Sequence, residues 1–169
     1  MKKRFIYWIA LLVLAVLADI FMPSINEGGL IKSILIILGI VGIIIAVVLN
    51  SLAGRTLKLY GHKVRTKKFS PPDKFVDIGI YSCMRHPGQF GNIILLISVT
   101  ILSGKICAVL FGGWLAFLGV LFILFVEERE AIEKFGSEYC EYMKKVKPFS
   151  LDFGCIKNAF DIISKKGSV

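Results

Sequence analysis

Histidine and cysteine are scarce in this chain, and neither is arranged for metal. There are 2 histidines and 4 cysteines in 169 residues. His62 and His86 lie far apart in sequence, and no two of Cys83, Cys107, Cys140 and Cys155 have the CxxC spacing of a zinc site. No metal is expected. Nothing in the spacing indicates a disulfide framework either, so all four cysteines read as reduced thiols with small apolar packing roles. Acids are also few, with 12 Asp and Glu against 21 Lys and Arg. A net charge of +9 raises nucleic acid as a partner. The placement of the charges argues against it, because the basic residues sit between long apolar runs, as membrane flanks do. No nucleic-acid partner is expected.

What the chain has in abundance is hydrocarbon. It is 56% hydrophobic, with a mean hydropathy of +0.74, too apolar for an ordinary soluble domain. The expected fold is all-α, a polytopic membrane helix bundle forming a single integral membrane domain over residues 1–169. Four transmembrane helices are expected at about 5–22, 30–53, 88–103 and 106–126. The first rivals a signal peptide, but it is long and no A-x-A cleavage site follows it. The second would cover about 36 Å, enough to cross a ~30 Å hydrocarbon core with tilt. The third is short for a lone span, which suits a tight hairpin with the fourth through Ser103-Gly104-Lys105. Gly39, Gly42 and Ala46, and again Ala108, Gly112 and Ala116, recur at helical spacing and suit close helix packing.

A basic loop, 54–87, separates the second and third spans and is broken by Pro71-Pro72. The plain reading of its charge is attraction to anionic lipid. Residues 127–147 read as an amphipathic helix with Ala131, Ile132, Phe135, Tyr139, Tyr142, Met143 and Val146 on its apolar face. Gly136 is placed to break it, and Pro148 to end it. Residues 155–164 read as a second, shorter one carrying Ile156, Ala159, Phe160 and Ile163. Both are expected in the membrane interface. With both termini cytoplasmic, only Lys32 and Lys105 of the 21 Lys and Arg residues face outside. That asymmetry supports a multi-pass integral membrane protein with both ends inside, in the cell membrane if the source is prokaryotic.

The chemistry concentrates at Tyr81-Ser82-Cys83-Met84-Arg85-His86-Pro87-Gly88-Gln89-Phe90-Gly91. Pro87 biases His86 away from the α region, so no helix is expected to run straight through. An Arg-His pair beside an apolar span is costly unless it faces water, a partner or a ligand. The plain alternative is a basic flank that anchors the next span at the headgroups. The topology puts Glu127-Glu128 on the same side of the membrane, and a hairpin of spans three and four would bring the two motifs together. Two carboxylates, an imidazole, a guanidinium and Tyr81 would then converge next to lipid. The plain alternative for Glu127-Glu128 is an acidic first helical turn.

Gly79-x-Tyr81-x3-Arg85-His86-Pro87-x3-Gly91, followed by Glu127-Glu128-x6-Phe135-Gly136-x-Glu138-Tyr139-x2-Tyr142-x3-Val146, resembles the isoprenylcysteine carboxyl methyltransferase family of integral membrane enzymes. Gly54-Arg55-Thr56-Leu57 is similar to that group as well. The resemblance implies methyl transfer from S-adenosyl-L-methionine at the cytoplasmic face. The cofactor contacts it implies are Asp73, Lys74, Phe75, Val76, Tyr81, His86, Pro87, Gly88, Gln89 and Glu127. The groups it leaves for catalysis are Arg85, His86 and Glu128. The implied partners are the bilayer and a lipophilic or prenylated small substrate, such as an isoprenylcysteine carboxylate. Two departures stand out. Gln89 replaces a tyrosine two residues after the proline. Ile123 replaces an arginine that faces the substrate carboxylate, with Arg129 or Arg85 as possible substitutes. Two other readings stay open: an NADPH-dependent, sterol-reductase-like membrane oxidoreductase, and a non-catalytic lipid-binding membrane protein. Four spans are few for a deep enclosed cavity, which leaves room for a homodimer.

Overall fold

The computed structural model describes residues 2–23, 28–61 and 72–167. Residues 1, 24–27, 62–71 and 168–169 lie outside the described residues, as do the side chains of Lys2, Lys3 and residues 163–167. The chain is all-helical. Its elements are α1 (Lys2–Phe21), α2 (Gly29–Tyr60), a short 3-10 turn (Gly79–Ser82), α3 (Pro87–Leu102), α4 (Ile106–Phe122), a π-turn (Ile123–Glu127), α5 (Glu128–Phe135), α6 (Ser137–Lys145) and α7 (Phe153–Gly167). Among the described residues, three helical stretches, Arg4–Phe21, Gly29–Tyr60 and Ile106–Phe135, are long and apolar enough to cross a membrane. Pro87–Leu102 is a shorter apolar helix, as its sequence predicts.

Two compact units emerge. The first comprises Met1–Val48 and Gly91–Leu124. Its core is Leu11, Ala15, Leu96 and Leu115, with Tyr7, Trp8, Leu12, Val99 and Phe111 packed around them. The small-residue stripes do what their spacing predicts. A Cβ added at Gly42 would sit 2.1 Å from Ser98 Oγ, and one at Gly112 would sit 2.0 Å from Thr100 Oγ1. Only glycine lets these helices approach so closely. Ala108 and Ala116 are buried on the same stripe. The Tyr7 hydroxyl donates to the Leu118 carbonyl at 2.9 Å, and its ring stacks on Phe122. Lys105 Nζ donates to the Asp19 carbonyl at 2.7 Å, tying the α3–α4 turn to the end of α1. The outward positions, including Phe5, Ile37, Leu110 and Trp114, are exposed and apolar. That is the surface a helix presents to lipid.

The second unit comprises Leu49–Phe90 and Phe125–Val169. Here the structure corrects the expected boundaries. Helix α2 does not end at residue 53 but continues to Tyr60, so Gly54-Arg55-Thr56-Leu57 is helical and the loop starts later. The reason is amphipathicity. Leu49, Leu52, Ala53 and Thr56 are buried at i, i+3, i+4 and i+7, which extends one packed face past the hydrocarbon run. Gly61 donates to the Leu57 carbonyl, and its own carbonyl accepts from the Asp73 and Lys74 N–H groups, which closes the end. Gly136, at φ +59°, separates α5 from α6 as its position predicts. The reading of four reduced thiols is also corrected. Cys83 and Cys155 form a disulfide across 72 residues of sequence, and Cys107 and Cys140 are the free ones.

Candidate functional site

The site is assembled entirely within the second unit. It starts at Gly79, whose φ of +62° is open to glycine at little cost, with Thr56 packed against it where a Cβ would reach to 3.1 Å. The 3-10 turn that follows is fastened by Ser82 Oγ, which donates to the Gly79 carbonyl at 2.7 Å. The chain then leaves the turn and extends. The Arg85 N–H donates to the Lys147 carbonyl at 2.9 Å, and the His86 N–H to the Pro148 carbonyl at 3.2 Å. Pro87 opens α3, where a missing N–H costs nothing. The His86 carbonyl accepts the first bond of that helix, from Phe90 at 2.8 Å. The expected bend therefore exists, and its hydrogen bonds are supplied from the far side of the sequence.

The opposing half comes from the last residue of the π-turn and the first of α5. The π-turn over Ile123–Glu127 widens the helix before α5, a feature often found where side chains are re-aimed at functional sites. Both acids that follow are buried, Glu127 at 3% exposure and Glu128 at 8%. Glu128 Oε1 pairs with Arg85 Nη2 at 2.5 Å and with His86 Nε2 at 3.3 Å. Glu127 Oε2 accepts from Gln89 Nε2 at 2.6 Å and lies 3.9 Å from His86 Nδ1. The imidazole thus stands between the two carboxylates, one at each ring nitrogen. His86 is itself 6% exposed, with Phe149 at its side.

Around this centre sits a cluster of aromatic rings. Phe75 packs on Tyr142, Phe135 and Tyr139, with ring centroids 5.1, 5.6 and 6.2 Å apart. The Tyr142 hydroxyl donates to the Tyr81 carbonyl, with the Met84 carbonyl 3.5 Å away. Burial, and then the nearby Glu128 and Glu127 charges, push the Tyr139 hydroxyl up to about 12. Burial raises Tyr142 above its ordinary value as well, and burial followed by Glu127 raises Tyr81. All three phenols stay protonated at neutral pH, where they can donate hydrogen bonds but cannot act as bases.

The residues expected from sequence fall into three groups. Arg85, His86, Gln89, Glu127 and Glu128 are brought into direct contact, with Tyr81 close enough to feel the Glu127 charge. Phe75 and the buried Val76 belong to the surrounding apolar layer, and Pro87 and Gly88 form the first turn of α3. Asp73 and Lys74 are exposed and are held by their backbone to Gly61. Sequence reasoning missed the second job of Arg85. Its Nη1 donates to the carbonyls of Met143 and Val146, both at 3.0 Å, and so satisfies the C-terminal end of α6. Neither proposed substitute for the missing arginine is a free cation. Arg129 is exposed and paired with Glu133 at 3.1 Å, and both terminal nitrogens of Arg85 have protein acceptors. Ile123 is fully buried. Among the described residues, no group of three His, Cys, Asp or Glu side chains is placed to hold a metal.

Buried ionisable side chains in a helical membrane bundle commonly mark functional sites. Residues 34–138 match the phospholipid methyltransferase family, and the chain belongs to that family. It is therefore an integral membrane methyltransferase by descent, within a family that takes in the isoprenylcysteine-type enzymes its motifs resemble. No curated protein and no solved structure matches the chain.

Proposed function

We propose that the protein transfers a methyl group from S-adenosyl-L-methionine to a lipophilic acceptor at the cytoplasmic face of the membrane. The observation that carries this reading is the meeting of His86 and Gln89 with Glu127 and Glu128 in one buried cluster. The donor set fits the cofactor. A carboxylate at 3% exposure suits the ammonium of an amino acid moiety, and protonated phenols with a phenylalanine suit a purine. S-adenosyl-L-methionine supplies a methyl already activated on a sulfonium, so the protein has mainly to position and to exclude water. Glu127 would hold the ammonium, and Phe75, Val76 and Tyr81 would pack on the adenine, with Asp73, Lys74, Pro87 and Gly88 as the further contacts that the resemblance implies. Glu128, held by Arg85, keeps His86 oriented between the two carboxylates. Arg85 acts through Glu128 and the α6 end rather than on the substrate.

The acceptor is a lipid with an amine or thiol nucleophile in preference to a prenylcysteine carboxylate. Ile123 stands where the family's carboxylate-facing arginine is expected, and both candidate substitutes already have protein partners. Thermal shift of the purified protein tests the cofactor assignment. S-adenosylhomocysteine is expected to stabilise it and NADPH is not; stabilisation by NADPH alone would reject the transferase.

A further inference from the structure

We infer that Gln89 is a positioning residue for Glu127 and not a cofactor contact; this rests on the function proposed above. Its Nε2 donates to Glu127 Oε2 at 2.6 Å, on a carboxylate only 3% exposed. A primary amide is the least intrusive donor available there. It fixes the direction of the carboxylate without adding a charge of its own.

The test is calorimetric titration of the full-length protein with S-adenosylhomocysteine. Q89L is expected to weaken binding about tenfold, the loss of one hydrogen bond to a charged group. Q89E is expected to weaken it further and increasingly as pH rises, because a second carboxylate ionises beside Glu127. In an E127Q background, Q89L should add little, since the two residues act as one unit. Wild-type binding with Q89L unchanged, or a Q89L loss undiminished in E127Q, overturns the proposal alone. A wild-type protein that binds no S-adenosylhomocysteine overturns the functional reading and this proposal with it.

A second inference stands on a different observation. The geometry points to Cys83 and Cys155 as a reversible thiol–disulfide switch that fastens α7 to the turn preceding the site. Cys83 is buried, two residues before Arg85, and Cys155 lies in the first turn of α7, which packs along Gly79–Ser82. On the topology with both termini inside, this bond faces the cytoplasm, where in mesophiles a disulfide is usually transient and redox-sensing. Its formation breaks the S–S bond of a small disulfide such as oxidised glutathione. The two protein sulfurs lose two electrons between them, and their two protons leave on the two small thiols released.

Membranes carrying the full chain, equilibrated in glutathione buffers of graded ratio and then alkylated, report the state by mass. Cys83 and Cys155 should pass together from blocked to labelled as the ratio becomes reducing, while exposed Cys140 labels throughout. Amide exchange should rise several-fold in 79–86 and in α7 on reduction, and C155S should show the reduced pattern in every buffer. A bond that persists at the most reducing ratio, or that never forms at the most oxidising one, overturns the proposal. So does a reduced protein with unchanged exchange in both segments.

Discussion

The two units of this chain are held together by opposite means. The unit containing Leu11, Ala15, Leu96 and Leu115 relies on shape, with glycines that admit a neighbouring hydroxyl or backbone at contact distance. The unit containing the site relies on buried polar groups that satisfy one another, with Arg85, His86, Gln89, Glu127 and Glu128 in a single network. In a bilayer the first strategy is the inexpensive one, because lipid tails give apolar side chains no reason to leave them and only close packing distinguishes protein from lipid. The second strategy is costly, since each buried charge must be compensated. Among the described residues, the buried ionisable side chains His86, Glu127 and Glu128 all lie in the second unit.

Mutations should break the two units in different ways. The largest effect is expected from R85A. It leaves Glu128 buried beside His86 alone and removes the donor to two α6 carbonyls, so a loss of about 3–5 kcal/mol is expected in detergent unfolding. A loss under 1 kcal/mol would show that the network does not hold the second unit. Next is G112A, which drives a methyl group into Thr100 and is expected to cost about 1–3 kcal/mol. Adding T100A should recover part of that loss; an additive double mutant would mean that the contact is not what limits packing. Y142F removes a hydroxyl that donates to the Tyr81 carbonyl and should cost about 1 kcal/mol, with no change in the first unit's amide exchange. Smallest is L110A, at a side chain 70% exposed toward lipid, expected to stay within about 0.5 kcal/mol of wild type. A larger loss there would mean that Leu110 meets protein, as in a homodimer.

How much of this was legible in the sequence follows the same division. The spans and the small-residue stripes could be read because hydrocarbon length and helical spacing are local properties of the chain. The Pro87 helix start and the Gly136 break were legible for the same reason, each depending on one residue's backbone chemistry. The pairing of His86 with Glu127 and Glu128 came from topology, through the hairpin inferred from charge asymmetry. What stayed hidden was long-range. The overrun of α2 to Tyr60 depends on what Thr56 packs against. The hold of Arg85 on Met143 and Val146, and the Cys83–Cys155 bond, join residues whose local sequence gives no sign of a partner. Gln89 was legible as a departure from the family pattern, but its partner was not.

We propose that Glu127, buried at 3% exposure, binds the ammonium of the cofactor. Calorimetric titration of S-adenosylhomocysteine into wild type and E127Q tests it most directly. Saturable wild-type binding and an affinity at least about tenfold weaker in E127Q are expected, the loss of one charged partner. Equal affinities in the two proteins would contradict it.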